Sequence, residues 1–304
     1  MTSARQQQLA LGAALTLILI WGANFTLQKY LLERLSVAGF LWVRYLIMPA
    51  CALALMRWQL GRWWPPLPRR DTLALAALGF VGHSLHVGLV TWGVHWSTAF
   101  SSAVILAIGP IFTLLLLRWR GHERLAPAQV AGVALALLGV LAFLSDKLLG
   151  GQWRAGGGDL VLVLAAALFS LYTVQAQALF QRHGTVLAMG YATVLGGLPL
   201  MLVSIPAGLQ APWLTLSAWE IAGLLWSIVI ASFVGWTAWG WINTVRGVAR
   251  TAPLQYLIPP AAGVFAWLLA GETFTWVKMA GACITLLGVA LAQFAGRLGL
   301  SVER

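Results

Sequence analysis

Almost every charged residue of this 304-residue chain falls in a short gap between long apolar runs. A helix needs about 20 mostly apolar residues to cross the hydrocarbon of a bilayer. Ten such runs occur, at about 9–30, 37–57, 72–94, 99–118, 125–145, 159–181, 186–208, 218–243, 248–270 and 276–297. Charged residues make up 9% of the chain and apolar ones 60%. A soluble domain carries about 25% and about 45–50%, and at this length it still needs polar residues to cover its surface. Strand-like alternation is missing, which excludes a β-barrel. The expected fold is therefore an all-α membrane protein with ten transmembrane helices. The first run continues through Asn24 to Lys29 without a cleavage site, so it reads as a span and not a signal peptide.

The basic residues orient the spans. Of 19 Lys and Arg, 13 lie in the termini and in the loops after spans 2, 4, 6 and 8, five lie in the opposite loops, and Arg44 lies within a span. The positive-inside rule then places both termini in the cytoplasm of a bacterial inner membrane. The net charge of +11 belongs to these loops and to anionic headgroups, not to a nucleic-acid partner. The expected partners are the lipid bilayer and a small-molecule substrate, with the chain working as a monomer. Trp58, Trp63, Trp64, Trp119, Trp153, Trp213 and Trp276 fall near span ends, where an interfacial aromatic belt belongs. Cys51 and Cys283 both lie in apolar runs and read as packing residues.

The chain also repeats itself. An offset of 149 pairs Glu123 with Glu272, Pro110 with Pro259, Gly132 with Gly281, Gly139 with Gly288 and Gln28 with Gln177. Trp92-Gly93 pairs with Trp239-Gly240 at 147. Duplicated units of five spans, residues 1–147 and 148–304, follow from this register. An odd number of spans per unit forces the second to enter from the opposite side, giving an inverted-topology repeat, which alternating-access transporters commonly use.

The segment Ile20-Trp-Gly-Ala-Asn-Phe25 with Lys29, and the Pro…Glu…Gly…Leu-Leu-Gly-Val series ending each half, resemble the drug/metabolite transporter superfamily, EamA type, over about residues 9–295. Within it the chain is similar to bacterial exporters of amino acids, those for aromatic amino acids in particular. The resemblance implies a central cavity surrounded by spans 1–4 and 6–9, with spans 5 and 10 at the periphery. The first half departs from the pattern at Arg118-Trp-Arg before Glu123, and span 6 lacks a Trp-Gly pair.

Polar groups inside hydrocarbon are costly, so those within spans are the site candidates. Trp21, Asn24 and Gln28 share one helical face of span 1, and their partners at the repeat offset are Ser170, Thr173 and Gln177. The alternative for both stripes is hydrogen bonding between neighbouring helices. Ser232, Trp236, Trp239 and Asn243 form a stripe on span 8, read either as substrate contacts or as lipid-facing tryptophans. His83 and His86 lie one turn apart in span 3, as carbonyl-bonded core histidines or as contacts for substrate or proton. Arg44, about seven residues into span 2, either snorkels to the surface or neutralises a substrate carboxylate. Pro110, Pro259 and Pro260 lie mid-span, where each removes a backbone hydrogen bond and provides a hinge or a packing kink. The seven-residue glycine spacing of spans 5 and 10 points to close packing.

No acid occupies a span centre, so carboxylate-based proton coupling is not expected, and His83 and His86 are left as groups that titrate near neutral pH. Glu123 and Glu272 read as helix-end residues. No nucleotide-binding loop, catalytic triad or zinc-protease spacing is present, and no metal or cofactor is expected. A transporter exporting amino acids or similar small metabolites is the leading reading, with a channel or an intramembrane enzyme as alternatives.

Overall fold

The computed structural model describes residues 4–119, 127–149 and 153–294, and all regular structure among them is helical. The main helices are α1 (Ala4–Arg34), α2 (Val37–Leu60), α3 (Arg69–Trp96), α4 (Ala99–Trp119), α5 (Pro127–Leu149), α6 (Trp153–His183), α7 (Thr185–Val203), α8 (Ala218–Arg246), α9 (Ile258–Ala270) and α10 (Trp276–Phe294). Seven of them, α1–α4 and α6–α8, are long and apolar enough to cross a membrane. Shorter apolar helices lie at Pro127–Ala142, Leu254–Ala270 and Trp276–Ala292.

Local chemistry sets the helix ends. The Ser36 hydroxyl accepts from the Gly39 amide at 3.0 Å and caps α2, which ends at Gly61 in the left-handed region (φ 71°). Ser217 and Glu220 form a reciprocal capping box at the start of α8. Glu272, read from the sequence as a helix-end residue, accepts from the Phe100 amide at 3.3 Å and satisfies an N–H in the first turn of α4. Glu123 lies outside the described residues.

The two halves of the chain interdigitate. α1 packs on α8 and α9, and its repeat equivalent α6 packs on α3 and α4. α2 packs on α7 and α8, and correspondingly α7 packs on α2 and α3. α5 and α10 pack against each other at one edge of the bundle. Their glycines explain the closeness. A Cβ placed on Gly132 would lie 2.3 Å from the Ala292 nitrogen, and one on Gly288 would lie 2.3 Å from the Ala136 nitrogen. Such backbone contact is the main source of helix association where there is no hydrophobic driving force. α3 and α7 meet as tightly, with a Gly196 Cβ position 2.0 Å from the Gly79 carbonyl carbon.

Two irregularities recur in both halves. α3 is π-helical over Phe80–His86 and α8 over Trp226–Val234. Shifting 80–86 by the repeat offset of 147 gives 227–233, inside the second segment. Widened turns of this kind are rare and gather at functional sites. The second irregularity concerns the prolines. α4 loses its helical turn at 107–108, just before Gly109-Pro110, and Ser170 Oγ donates to the Gly109 carbonyl at 2.7 Å, tying α6 to the break. The ninth apolar run is not one helix, as its length suggested. It is a short helix Val248–Thr251, a 3₁₀ stretch Ala252–Leu257, and then α9. Pro259 and Pro260 therefore open α9, where their missing N–H groups cost nothing, rather than kinking a helix interior.

Candidate functional site

A central cavity of about 120 Å³ lies between the two halves, nearer the Arg34 end of α1. α1 contributes Trp21, Asn24, Phe25 and Gln28 to it, α2 Arg44, α3 His86, and α8 Ser232 and Trp236. A second cavity of about 20 Å³ lies toward the opposite ends of α6 and α8. Thr173, Gln177, Trp236, Trp239 and Asn243 line that one. The candidate residues of the sequence are thus divided between two spaces. Trp236 lines both and stands between them, its ring 5.6 Å from Phe169, 5.4 Å from Tyr172, 5.7 Å from His86 and 4.7 Å from His83. His83 lines neither cavity and is wholly buried behind Trp236, its Nε2 3.4 Å from the Thr193 hydroxyl.

The polar atoms around the larger cavity are only partly satisfied. Trp21 Nε1 donates to the Ala231 carbonyl at 2.8 Å, which fixes its ring. Asn24 Nδ2 and Gln28 Oε1 are 3.4 Å apart, and Gln28 Nε2 is 3.5 Å from the Thr91 hydroxyl, so this stripe both bridges α1 to α3 and faces the cavity. Asn24 Oδ1 has no partner. His86 Nδ1 lies 2.8 Å from the Ala165 carbonyl. A carbonyl only accepts, so Nδ1 carries the hydrogen and Nε2 is the acceptor of the neutral ring. Arg44 does not snorkel. It is 5% exposed, lines the cavity, and has no partner for Nε. The lipid-facing alternative for the α8 tryptophans is also excluded, since Trp236 and Trp239 are 7% and 5% exposed.

Three further polar atoms stand unpartnered beside the smaller cavity, namely Thr173 Oγ1, Trp239 Nε1 and Asn243 Oδ1. Buried polar atoms are nearly always hydrogen-bonded, so each orphan calls for water or a ligand at some stage of the protein's work. About one or two waters fit in this volume.

Cross-half ties close both ends of the bundle. At one end Asp71 of α3 takes His183 Nε2 at 2.6 Å and Arg182 Nη1 at 3.3 Å, and Gln7 Nε2 donates to the Val245 carbonyl at 2.8 Å. At the other, Arg34 Nε meets Glu220 at 2.5 Å, while within the first half Lys29 Nζ donates to the His95 and Ser97 carbonyls at 2.6 and 2.8 Å. Asp159 accepts from the Ser97 hydroxyl at that same end. A third cavity of about 640 Å³ lies among these residues at the rim, lined by Lys29, Glu33, Trp219 and Glu272.

The sequence stripes missed Phe169, Phe25 and Gln255. The phenylalanines are apolar residues in apolar helices and carry no signal. Gln255 is a polar residue in an apolar run, and the rule that flagged Asn24 applies to it equally.

Comparison with known proteins supplies the family. The model of the EamA-like transporter family matches twice, over residues 8–145 and 156–294. A protein of Streptantibioticus cattleyicolor named "Probable terminal-alkyne amino-acid exporter" is 28% identical, over 93% of this chain and 92% of the relative. The "Probable amino-acid metabolite efflux pump" of Escherichia coli is 24% identical over 95% and 96%. A solved structure titled "Crystal structure of protein" shares the fold, with a TM-score of 0.68 at 18% identity over 96% of this chain and 99% of that one. The two matched segments cover both halves of the bundle, and the chain belongs to the EamA-like transporter family, as a multi-pass membrane protein.

Proposed function

We propose that this protein exports amino acids, aromatic ones included, or similar small metabolites across the bacterial cytoplasmic membrane by alternating access. In this reading it crosses the bilayer ten times with both termini in the cytoplasm. Residues 1–147 and 148–304 are its two inverted units, and it works as a monomer without metal or cofactor. The observation that carries the proposal is the pair of cavities on either side of Trp236, both bordered by unpartnered polar atoms. The larger one has room for roughly ten waters, the size of an amino acid. Its walls include the rings of Trp21, Phe25, Phe169 and Trp236, which suit an aromatic side chain or the face of an ammonium group.

On the proposed orientation the larger cavity belongs to the periplasmic half and the smaller to the cytoplasmic half. Rocking of the units would break the Asp71 ties at the cytoplasmic end, enlarge the smaller cavity and wet Thr173, Trp239 and Asn243. The reverse movement would release solute past Arg34 and Glu220. The names of the bacterial relatives support export as the direction. Flux down the solute gradient is the expected mode, because no acid among the described residues lines either cavity.

Two experiments test this. Purified protein in liposomes should take up amino acids saturably from a labelled panel; rates no higher than in empty liposomes for every member would remove the function. Single cysteines at Ser36 and Leu214, both exposed, should react with an impermeant thiol reagent added outside cells, whereas one at Arg62 should react only after lysis. The opposite pattern would reverse the orientation.

A further inference from the structure

We propose that Arg44 is the anion anchor of the central cavity, so that a solute must bear a carboxylate to be carried. This rests on the central cavity being the transport site. The guanidinium keeps its charge at any working pH. It is 5% exposed, and no hydrogen bond or ion pair satisfies it among the described residues. A buried charge without a partner is costly, so its retention points to a partner that comes and goes. Among the described residues the buried acids are engaged elsewhere, Asp71 with Arg182 and His183, Glu220 with Arg34, and Asp159 with Ser97.

The rest of the lining matches the other end of an α-amino acid. Among the described residues no Asp or Glu lines the cavity, but Asn24 Oδ1 is an acceptor without a partner. A carboxylate at Arg44 leaves an adjacent ammonium group to donate to Asn24 Oδ1. An amine lacking the carboxylate meets the positive charge of Arg44 with nothing to offset it. The charge comes from one half only. The position 149 residues on is Thr193, which is fully buried and bonded to His83. The repeat thus supplies a symmetric scaffold, and one residue breaks its symmetry with a charge.

The test is uptake into proteoliposomes with matched probes. Labelled L-phenylalanine should be displaced by unlabelled L-phenylalanine and by 3-phenylpropionate. It should not be displaced by 2-phenylethylamine at a tenfold higher concentration. Arg44→Gln should lower L-phenylalanine uptake at least tenfold, and Arg44→Lys should retain part of it, since Lys keeps the charge but lacks the two-pronged geometry. Displacement by 2-phenylethylamine as effective as by L-phenylalanine would overturn the anchor, and so would wild-type uptake by Arg44→Gln. Where Arg44→Gln is not monodisperse, the displacement experiment on the wild type decides. The leucine/3-methylbutylamine and lysine/cadaverine pairs repeat the comparison with other side chains. Uptake of no amino acid in any pair would remove the transport reading and the anchor with it. Amino-acid uptake indifferent to Arg44 would remove the anchor alone.

Discussion

Trp236→Ala is expected to cost transport of aromatic amino acids at least tenfold while lowering that of alanine much less. The ring borders both cavities and is surrounded by His83, His86, Phe169 and Tyr172 at centroid distances of 4.7–5.7 Å. Removing it takes away a stacking partner and joins the two spaces. It also leaves a void, and truncation of a buried Trp costs about 3–5 kcal/mol of stability. Trp236→Phe keeps a ring in place and separates the two effects, so it should retain most transport of aromatic substrates. Uptake by liposomes at matched protein density reads both variants. Equal loss for alanine and phenylalanine in Trp236→Ala would remove the ring from the substrate site.

The second large effect is expected far from the cavities. Gly288→Leu should split the α5–α10 pair, because even a Cβ at this position would lie 2.3 Å from the Ala136 nitrogen and 2.7 Å from the Gly132 carbonyl oxygen. Both contacts are backbone, so no side chain can turn aside to relieve them. The loss should be about 3 kcal/mol, the upper range for overpacking. It should appear as a lower unfolding temperature in detergent. Among the described residues neither α5 nor α10 lines either cavity beside Trp236, so KM should stay within about twofold in the protein that remains folded. An unchanged unfolding temperature would mean that the two helices do not pack as described.

How far these features are legible in the sequence depends on the residue. The stripe Trp21, Asn24 and Gln28 could be read because helical spacing fixes a shared face, and a polar face in hydrocarbon has few destinations. Arg44 was identifiable as a candidate, but its direction was not. Snorkelling and burial differ only in the packing of α2 against α7 and α8, which a single helix does not reveal. Thr173 and Gln177 are the repeat equivalents of Asn24 and Gln28, and the sequence treats the four alike. In the structure they border different cavities, as the proposed inversion of the repeat would arrange. The π-helical segments left no trace, since hydrophobic patterning reports the face of a helix and not its hydrogen-bond register. The glycines of α5 and α10 were legible because a missing side chain at seven-residue spacing has close approach as its usual physical use. Phe169 was hidden, one ring in a helix already full of apolar side chains.

The central claim is that a solute crosses by alternate exposure of one site and not through a continuous pore. Counterflow tests it most directly. Proteoliposomes loaded with unlabelled L-phenylalanine are diluted into a trace of the labelled compound. The account predicts that label inside rises transiently above its equilibrium level and then declines, since an alternating carrier exchanges inner for outer molecules. A monotonic approach to equilibrium, at a rate indifferent to the unlabelled load, would contradict it and indicate a channel.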